Sequence, residues 1–272
     1  MVNARILITL ILVGMLGACA STPPATFNPN DSKALNIARA AGIDAKLKDV
    51  EVPKDTVNNI TDSAGFGFAM AASGYNSPIP GFSPNQMAAM NFTAWLLAPE
   101  ADSARNSMFA WVPTAIGSEP ITFLSDTISK SLKKAEPEIG YDLNITYMNN
   151  KSVIIAFLFK EGDPYCGEKD KCFISFGIRE PKNSNQTPTF ISDQSPSYFF
   201  DPSTKNYSRY SFSKKYQGFN ELDLLHKISA QLPKWFYLYA APNKVKLDSE
   251  KKLKIPVVIN EGKTHYFVKP NA

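Results

Sequence analysis

The sequence predicts an α+β fold: a helical region over residues 31–100, then an α+β domain over 101–272 in which antiparallel sheet packs with two helices. Three observations carry this. Near Pro99 the texture changes from alanine-rich to strand-rich. Two stretches beyond that point, Ile121–Lys134 and Leu222–Leu232, place apolar residues at helical spacing. The remaining apolar stretches are short and bounded by Asn, Gly and Pro, as strands are. Of 272 residues, 44% are hydrophobic and 20% charged, enough apolar surface for a folded core.

The chain opens with an export pattern. Arg5 supplies a basic start, Ile6 to Met15 an apolar run, and Gly17, Ala18 and Ala20 small residues around Cys19. The run is shorter than the roughly 20 residues a spanning helix needs, so a retained transmembrane anchor is not expected. Two cleavage patterns fit. Ala18-Cys19-Ala20 suits an ordinary signal peptidase, leaving Ser21 as the first residue. Leu16-Gly17-Ala18-Cys19 resembles the lipobox of bacterial lipoproteins. That resemblance implies removal of residues 1–18, a diacylglycerol thioether on Cys19 and an acyl chain such as palmitate on its amino group. With Ala20 following the cysteine in place of Asp, it further implies the outer membrane, with the folded part in the periplasm. Membrane contact through several acyl chains would then be firm.

Residues 19–30 hold the anchor and a short proline-containing tether. Asp31 or Ser32 is placed to cap a helix running to about Leu47. Leu35 to Ala40 of this helix resembles part of the peptidoglycan-binding signature of OmpA-like domains, but the strand and Asp that precede that helix in the family have no counterpart here. Val57, Ile60, Ala64 and Phe68 predict a second helix, whose Gly65, Ala69 and Ser73 permit close approach to a third starting at Ser83-Pro84.

In the second part, Ser107–Ala115 reads as a strand, Ile121–Lys134 as a helix, and Tyr141–Met148 with Ser152–Phe159 as a hairpin turning at Asn149-Asn150. Cys172–Arg179 is a further strand. Residues 181–205 read as a long loop with one short strand, on their Pro, Ser, Asn and Thr content. Tyr207–Ser213 alternates as a strand, and Asn220 caps a helix that ends before Pro233. Trp235–Ala241 is a strand, and Ile255–Ile259 with His265–Lys269 a hairpin around Glu261-Gly262-Lys263. The orders over 107–179 and 206–269 match, raising a duplicated β-α-β-β-β unit as an expectation.

With Cys19 assigned to the anchor, Cys166 and Cys172 remain, and an even remainder in an exported chain predicts one disulfide. Two cysteines and two histidines do not make a structural zinc site, so neither metal nor cofactor is expected. The balance of 29 basic and 25 acidic residues is too even to argue for nucleic acid.

Catalytic motifs are sparse. His226 reads as a boundary position on its helix and His265 as a strand residue with one exposed face. Ser131-Leu132-Lys133-Lys134, Ser192-Asp193-Gln194 and Lys263-Thr264-His265 follow the order of penicillin-binding-protein motifs. The second and third each lack a defining residue, and Ser131 falls late in its helix, away from oxyanion donors. The aromatic and basic stretch 198–219 offers Tyr198, Tyr207, Arg209, Tyr210, Lys214 and Tyr216 as a partner or ligand surface. The same pattern also suits an edge strand guarded by basic residues. The functional expectation is a non-enzymatic structural or accessory component of a cell-envelope assembly of secretion, conjugation or pilus type, with envelope proteins as partners. A periplasm-facing module binding peptidoglycan, glycan or a small ligand is the alternative, and an anchored hydrolase the third.

Overall fold

The computed structural model describes residues 25–43, 46–52, 104–168, 171–185, 187–191, 196–202, 207–213, 220–247, 252–253 and 255–270. The lipobox and the helices expected from Val57 and Ser83 lie outside them.

Helix α1 is Lys33–Ala40, capped by the Ser32 hydroxyl, which accepts the Leu35 N–H at 3.0 Å. It stops earlier than the expected Leu47. Gly42 turns left-handed (φ 72°) and the Ile43 N–H donates back to Ala38 O at 2.9 Å, closing the last turn. Ile43 and Leu47 are buried all the same. The end of the expected tether is held down: Asn36 Nδ2 donates to Asn28 O and Asp31 O, Asn36 Oδ1 accepts Asn28 N–H at 2.7 Å, and Phe27 packs on Phe190. Strand β1, Val50–Val52, follows.

Strand β2, Ser107–Pro113, leads through a 3-10 turn at Thr114–Ile116 into α2, Pro120–Ile139. Proline at the first helical position and Gly140 in the left-handed region bound this helix at its two ends. Strands β3 (Asp142–Met148), β4 (Val153–Phe159) and β5 (Cys172–Gly177) form an antiparallel meander. Then come β6 (Lys182–Ser184), β7 (Ser197–Phe200), β8 (Arg209–Phe212) and α3 (Glu221–Gln231), whose cap Asn220 accepts the Asp223 N–H at 2.8 Å. Strands β9 (Phe236–Ala240), β10 (Val257–Asn260), β11 (Lys263–Tyr266) and β12 (Val268–Pro270) complete the chain.

These strands make a four-stranded sheet, β3-β4-β5-β8, a six-stranded sheet, β11-β10-β9-β2-β7-β6, and a parallel pair, β1-β12. Each sheet takes a strand from the other half of the chain: β8 joins the first meander and β2 joins the second. The Met108 N–H donates to Ser208 O at 3.1 Å and ties the sheets together where those strands meet. The matched element orders do not make a repeat. The borrowed strand lies beside the third strand of one meander (β5) and the first strand of the other (β9), so the two halves differ in strand order.

Helices α2 and α3 pack on each other, α2 against β3 and β4, and α3 against β9, β10 and β11. Helix α1 packs on β10 and β11 from the opposite side. Thr264 bonds His226 of α3, whereas the next side chain along the strand, His265, senses Lys33 of α1, as strand alternation requires. No described helix is long and apolar enough to cross a membrane.

Candidate interaction surface

Strand β4 reads Val-Ile-Ile-Ala-Phe-Leu-Phe, apolar throughout, the composition of a strand covered on both faces. Among the described residues only one face is covered. Ile154, Ala156 and Leu158 point toward α2 and are buried with Leu143, Ile174 and Phe176. Val153, Ile155, Phe157 and Phe159 point the other way and are half-buried. Register places Phe173 of β5 beside Phe157, ring centroids 5.8 Å apart, and Met148 of β3, 50% exposed, beside Val153.

Polar groups rim this stripe. Asp142, Asn144 and Thr146 of β3 stand along one side. On the other, Ser175 and Ser211 share a 2.8 Å hydroxyl hydrogen bond and Arg209 lies opposite Gly177. An apolar centre inside a polar rim is the anatomy of a protein-binding face. The stripe was legible as a strand but not as a surface. An uninterrupted apolar run does not reveal which of its faces is left uncovered.

The four described residues expected to form a partner surface do not share one surface. Tyr198 lies on β7 in the six-stranded sheet and donates to Gly117 O at 3.0 Å. Tyr207 precedes β8, with the Arg105 guanidinium 4.5 Å above its ring. Arg209 is exposed on the outer face of the four-stranded sheet. Tyr210 is a correction: it is only 2% exposed, and its hydroxyl donates to Tyr239 O at 3.1 Å beneath the sheet. Strand alternation accounts for this, because Arg209 and Tyr210 must face opposite sides. Lys214 and Tyr216 lie outside the described residues.

Cys166 and Cys172 form the disulfide, closing a tip between β4 and β5. Asp163 organises this loop, accepting the N–H groups of Tyr165 and Cys166 at 2.8 and 2.7 Å and the Tyr141 hydroxyl at 2.9 Å. Burial pushes the Asp163 carboxyl up, but those donors and Lys160 outweigh it and hold it below its ordinary value. Burial, reinforced by this bond to the Asp163 carboxylate, drives the Tyr141 hydroxyl up to about 12. Beside the loop, Glu136, Tyr141, Phe159, Lys160 and Glu161 line a cleft of about 420 Å³ that carries both signs of charge.

His226 and Ser131 are tied into the fold by hydrogen bonds, whereas the His265 Nε2 is buried without a hydrogen-bond partner among the described residues. His226 Nε2 is bonded to the Thr264 hydroxyl, and burial lowers its basicity. Burial, then the cations of Lys33 and Lys263, lower His265 to about 3. Ser131 Oγ is buried and donates to Gln231 O at 2.8 Å, in the middle of the longer helix α2. Arg39, within the stretch that resembles the OmpA-like signature, is paired with Asp31. Among the described residues, no group of three or more His, Cys, Asp or Glu is placed to hold a metal ion.

No family model, curated protein or solved structure matches the chain.

Proposed function

We propose that the chain is a lipid-anchored protein of the outer membrane, facing the periplasm, and that it acts as a non-enzymatic accessory component of a cell-envelope assembly. On this reading, the open face of the four-stranded sheet is where a partner protein docks. The observation that carries the docking role is the apolar stripe Val153, Ile155, Phe157, Phe159 and Phe173, half-buried within a polar rim. The anchor rests on Leu16-Gly17-Ala18-Cys19, and the Cys166–Cys172 disulfide agrees with an oxidising compartment. The bonds of His226 to Thr264 and of Ser131 to Gln231 support the non-enzymatic reading.

Two measurements test this reading. Labelled palmitate should enter the wild-type protein and not Cys19→Ser, and globomycin should accumulate the unprocessed precursor. A mature protein beginning at an unmodified Ser21 rules out the anchor. A photo-crosslinking residue at Phe157 or Phe173 should capture an envelope protein, whereas one at exposed Lys134 on α2 should not. Capture of peptidoglycan fragments alone would replace the accessory role with a wall-binding one.

A further inference from the structure

Strand β3 is the longest exposed edge among the described sheets: it has seven residues, against three in β6 and four in β11. It contains neither proline nor lysine and has one charge, Asp142, at its start. Long edges of this kind are ordinarily guarded, because their free N–H and C=O groups template pairing with another chain.

The edge is guarded at one end only. In an antiparallel strand, alternate residues direct both backbone groups away from the neighbour. On β3 these are Leu143, Ile145 and Tyr147, since the Leu143 N–H donates to Glu136 Oε1 at 2.6 Å and Leu143 O accepts the Lys133 ammonium, both from α2. Glu136 and Lys133 thereby occupy the edge at Leu143. Among the described residues no partner meets the outward backbone groups of Ile145 and Tyr147. Tyr147 is 41% exposed and Met148 50%.

We propose that this edge binds a second copy of the chain, β3 to β3 and antiparallel, about a two-fold axis through Thr146. The occupant follows from register. In a two-fold pair, outward residues must face outward residues. Placing Ile145 opposite Tyr147 of the other copy, and Tyr147 opposite its Ile145, satisfies every free N–H and C=O on both edges. A pairing centred on Ile145 would require Leu143, which α2 already occupies. One centred on Tyr147 would use Asn149, whose φ of 50° has left the strand. In the remaining register each aromatic meets a β-branched residue on one face, a favourable cross-strand pair, and threonine meets threonine on the other. Pairing in this way joins two four-stranded sheets edge to edge, with their outer faces on the same side and the two β3 strands between their apolar stripes.

The register makes the test specific. Thr146 lies on the axis in a non-hydrogen-bonded pair, where opposed Cα atoms sit about 4.5 Å apart, within disulfide reach. In a lysate of cells expressing the full chain, copper-phenanthroline oxidation should convert Thr146→Cys to a covalent dimer of the chain, identified by mass. Asn144→Cys and Met148→Cys should each stay monomeric alone and crosslink to one another when co-expressed. Adding Tyr147→Pro, which removes an outward N–H that an edge can spare, should abolish the Thr146→Cys dimer while leaving the melting transition in place. No dimer from Thr146→Cys, equal dimers from all three single variants, or an adduct to a different protein overturns the proposal. Anchoring and the outer-face partner do not enter this experiment, so its failure leaves that reading where it stood.

Discussion

Glu221 carries its charge problem in one side chain. It stands in the first turn of α3, where a helix N-terminus favours a carboxylate, yet it is only 3% exposed. Its Oε2 accepts the Lys246 N–H at 2.7 Å, and Lys246 and Lys252 lie in its field, as does the buried hydroxyl of Tyr210. Burial outweighs the bond and the two cations and pushes the carboxyl from 4.5 up to about 7. Between those pH values the folded chain holds a proton that the unfolded chain has released, so stability falls as pH rises through that window. The difference is worth roughly 3 kcal/mol once complete. His265 has the opposite sign: the unfolded chain takes up a proton below 6.5 that the folded chain refuses until about 3, so stability is lost as pH falls. Between 4.5 and 6.5 the two slopes cancel. Glu221→Gln should therefore match the parent at pH 4, exceed it at pH 8 by roughly 2–3 kcal/mol, and gain stability with pH between 4.5 and 6.5. Urea titrations at the three pH values measure this. A variant equal to the parent at pH 8 means that Glu221 ionises as an ordinary carboxylate.

At the scale of elements, what the sequence disclosed was local. Caps at Ser32 and Asn220 and the Glu261-Gly262 turn are signals a few residues long, and each element they bound is present. Strands β6 and β7 fell within a stretch read as a loop with one short strand. They are three and four residues long; β7 pairs with β2, about 90 residues earlier, and β6 pairs with β7, so the pairing leaves no periodic mark. β1 is hidden for the same reason, its partner β12 lying at the other end of the chain. Two elements make testable claims. In the β10–β11 turn both Glu261 (φ 51°) and Gly262 (φ 72°) are left-handed, and a Cβ on Gly262 would sit 2.9 Å from Ala230 Cβ on α3. Gly262→Ala should cost about 1–3 kcal/mol in thermal or urea unfolding, whereas Glu261→Asn, better suited to this turn, should cost nothing or stabilise slightly. The Cys166–Cys172 loop spans a separation of six residues, for which chain-entropy arguments give about 2 kcal/mol. Cys166→Ser with Cys172→Ser should lower unfolding stability by that amount, and reductant should lower the parent to the same level.

Across the whole molecule, the exchange of β2 and β8 between sheets decides how the chain unfolds. Neither meander owns all the strands of its sheet, and α2 lies against α3. A boundary that separates residues 107–179 from 206–269 would strip β8 from the first sheet and β2 from the second, leaving new open edges on both. The two sheets should therefore melt together. Trp111 on β2 and Trp235 just before β9 report on the six-stranded sheet, once Trp95 is replaced by Phe. Ile174 lies in the other sheet, fully buried against α2's side of β5 and opposite Ala156 and Phe212. Ile174→Ala removes buried apolar volume worth about 2–5 kcal/mol. If the exchanged strands couple the sheets, the tryptophan transition should move to lower urea by the same amount as the far-ultraviolet circular dichroism, with an unchanged slope. A tryptophan midpoint that stays in place while the dichroism splits into two steps would show that the sheets unfold separately, and that the Met108–Ser208 hydrogen bond and the α2–α3 contact are too weak to join them.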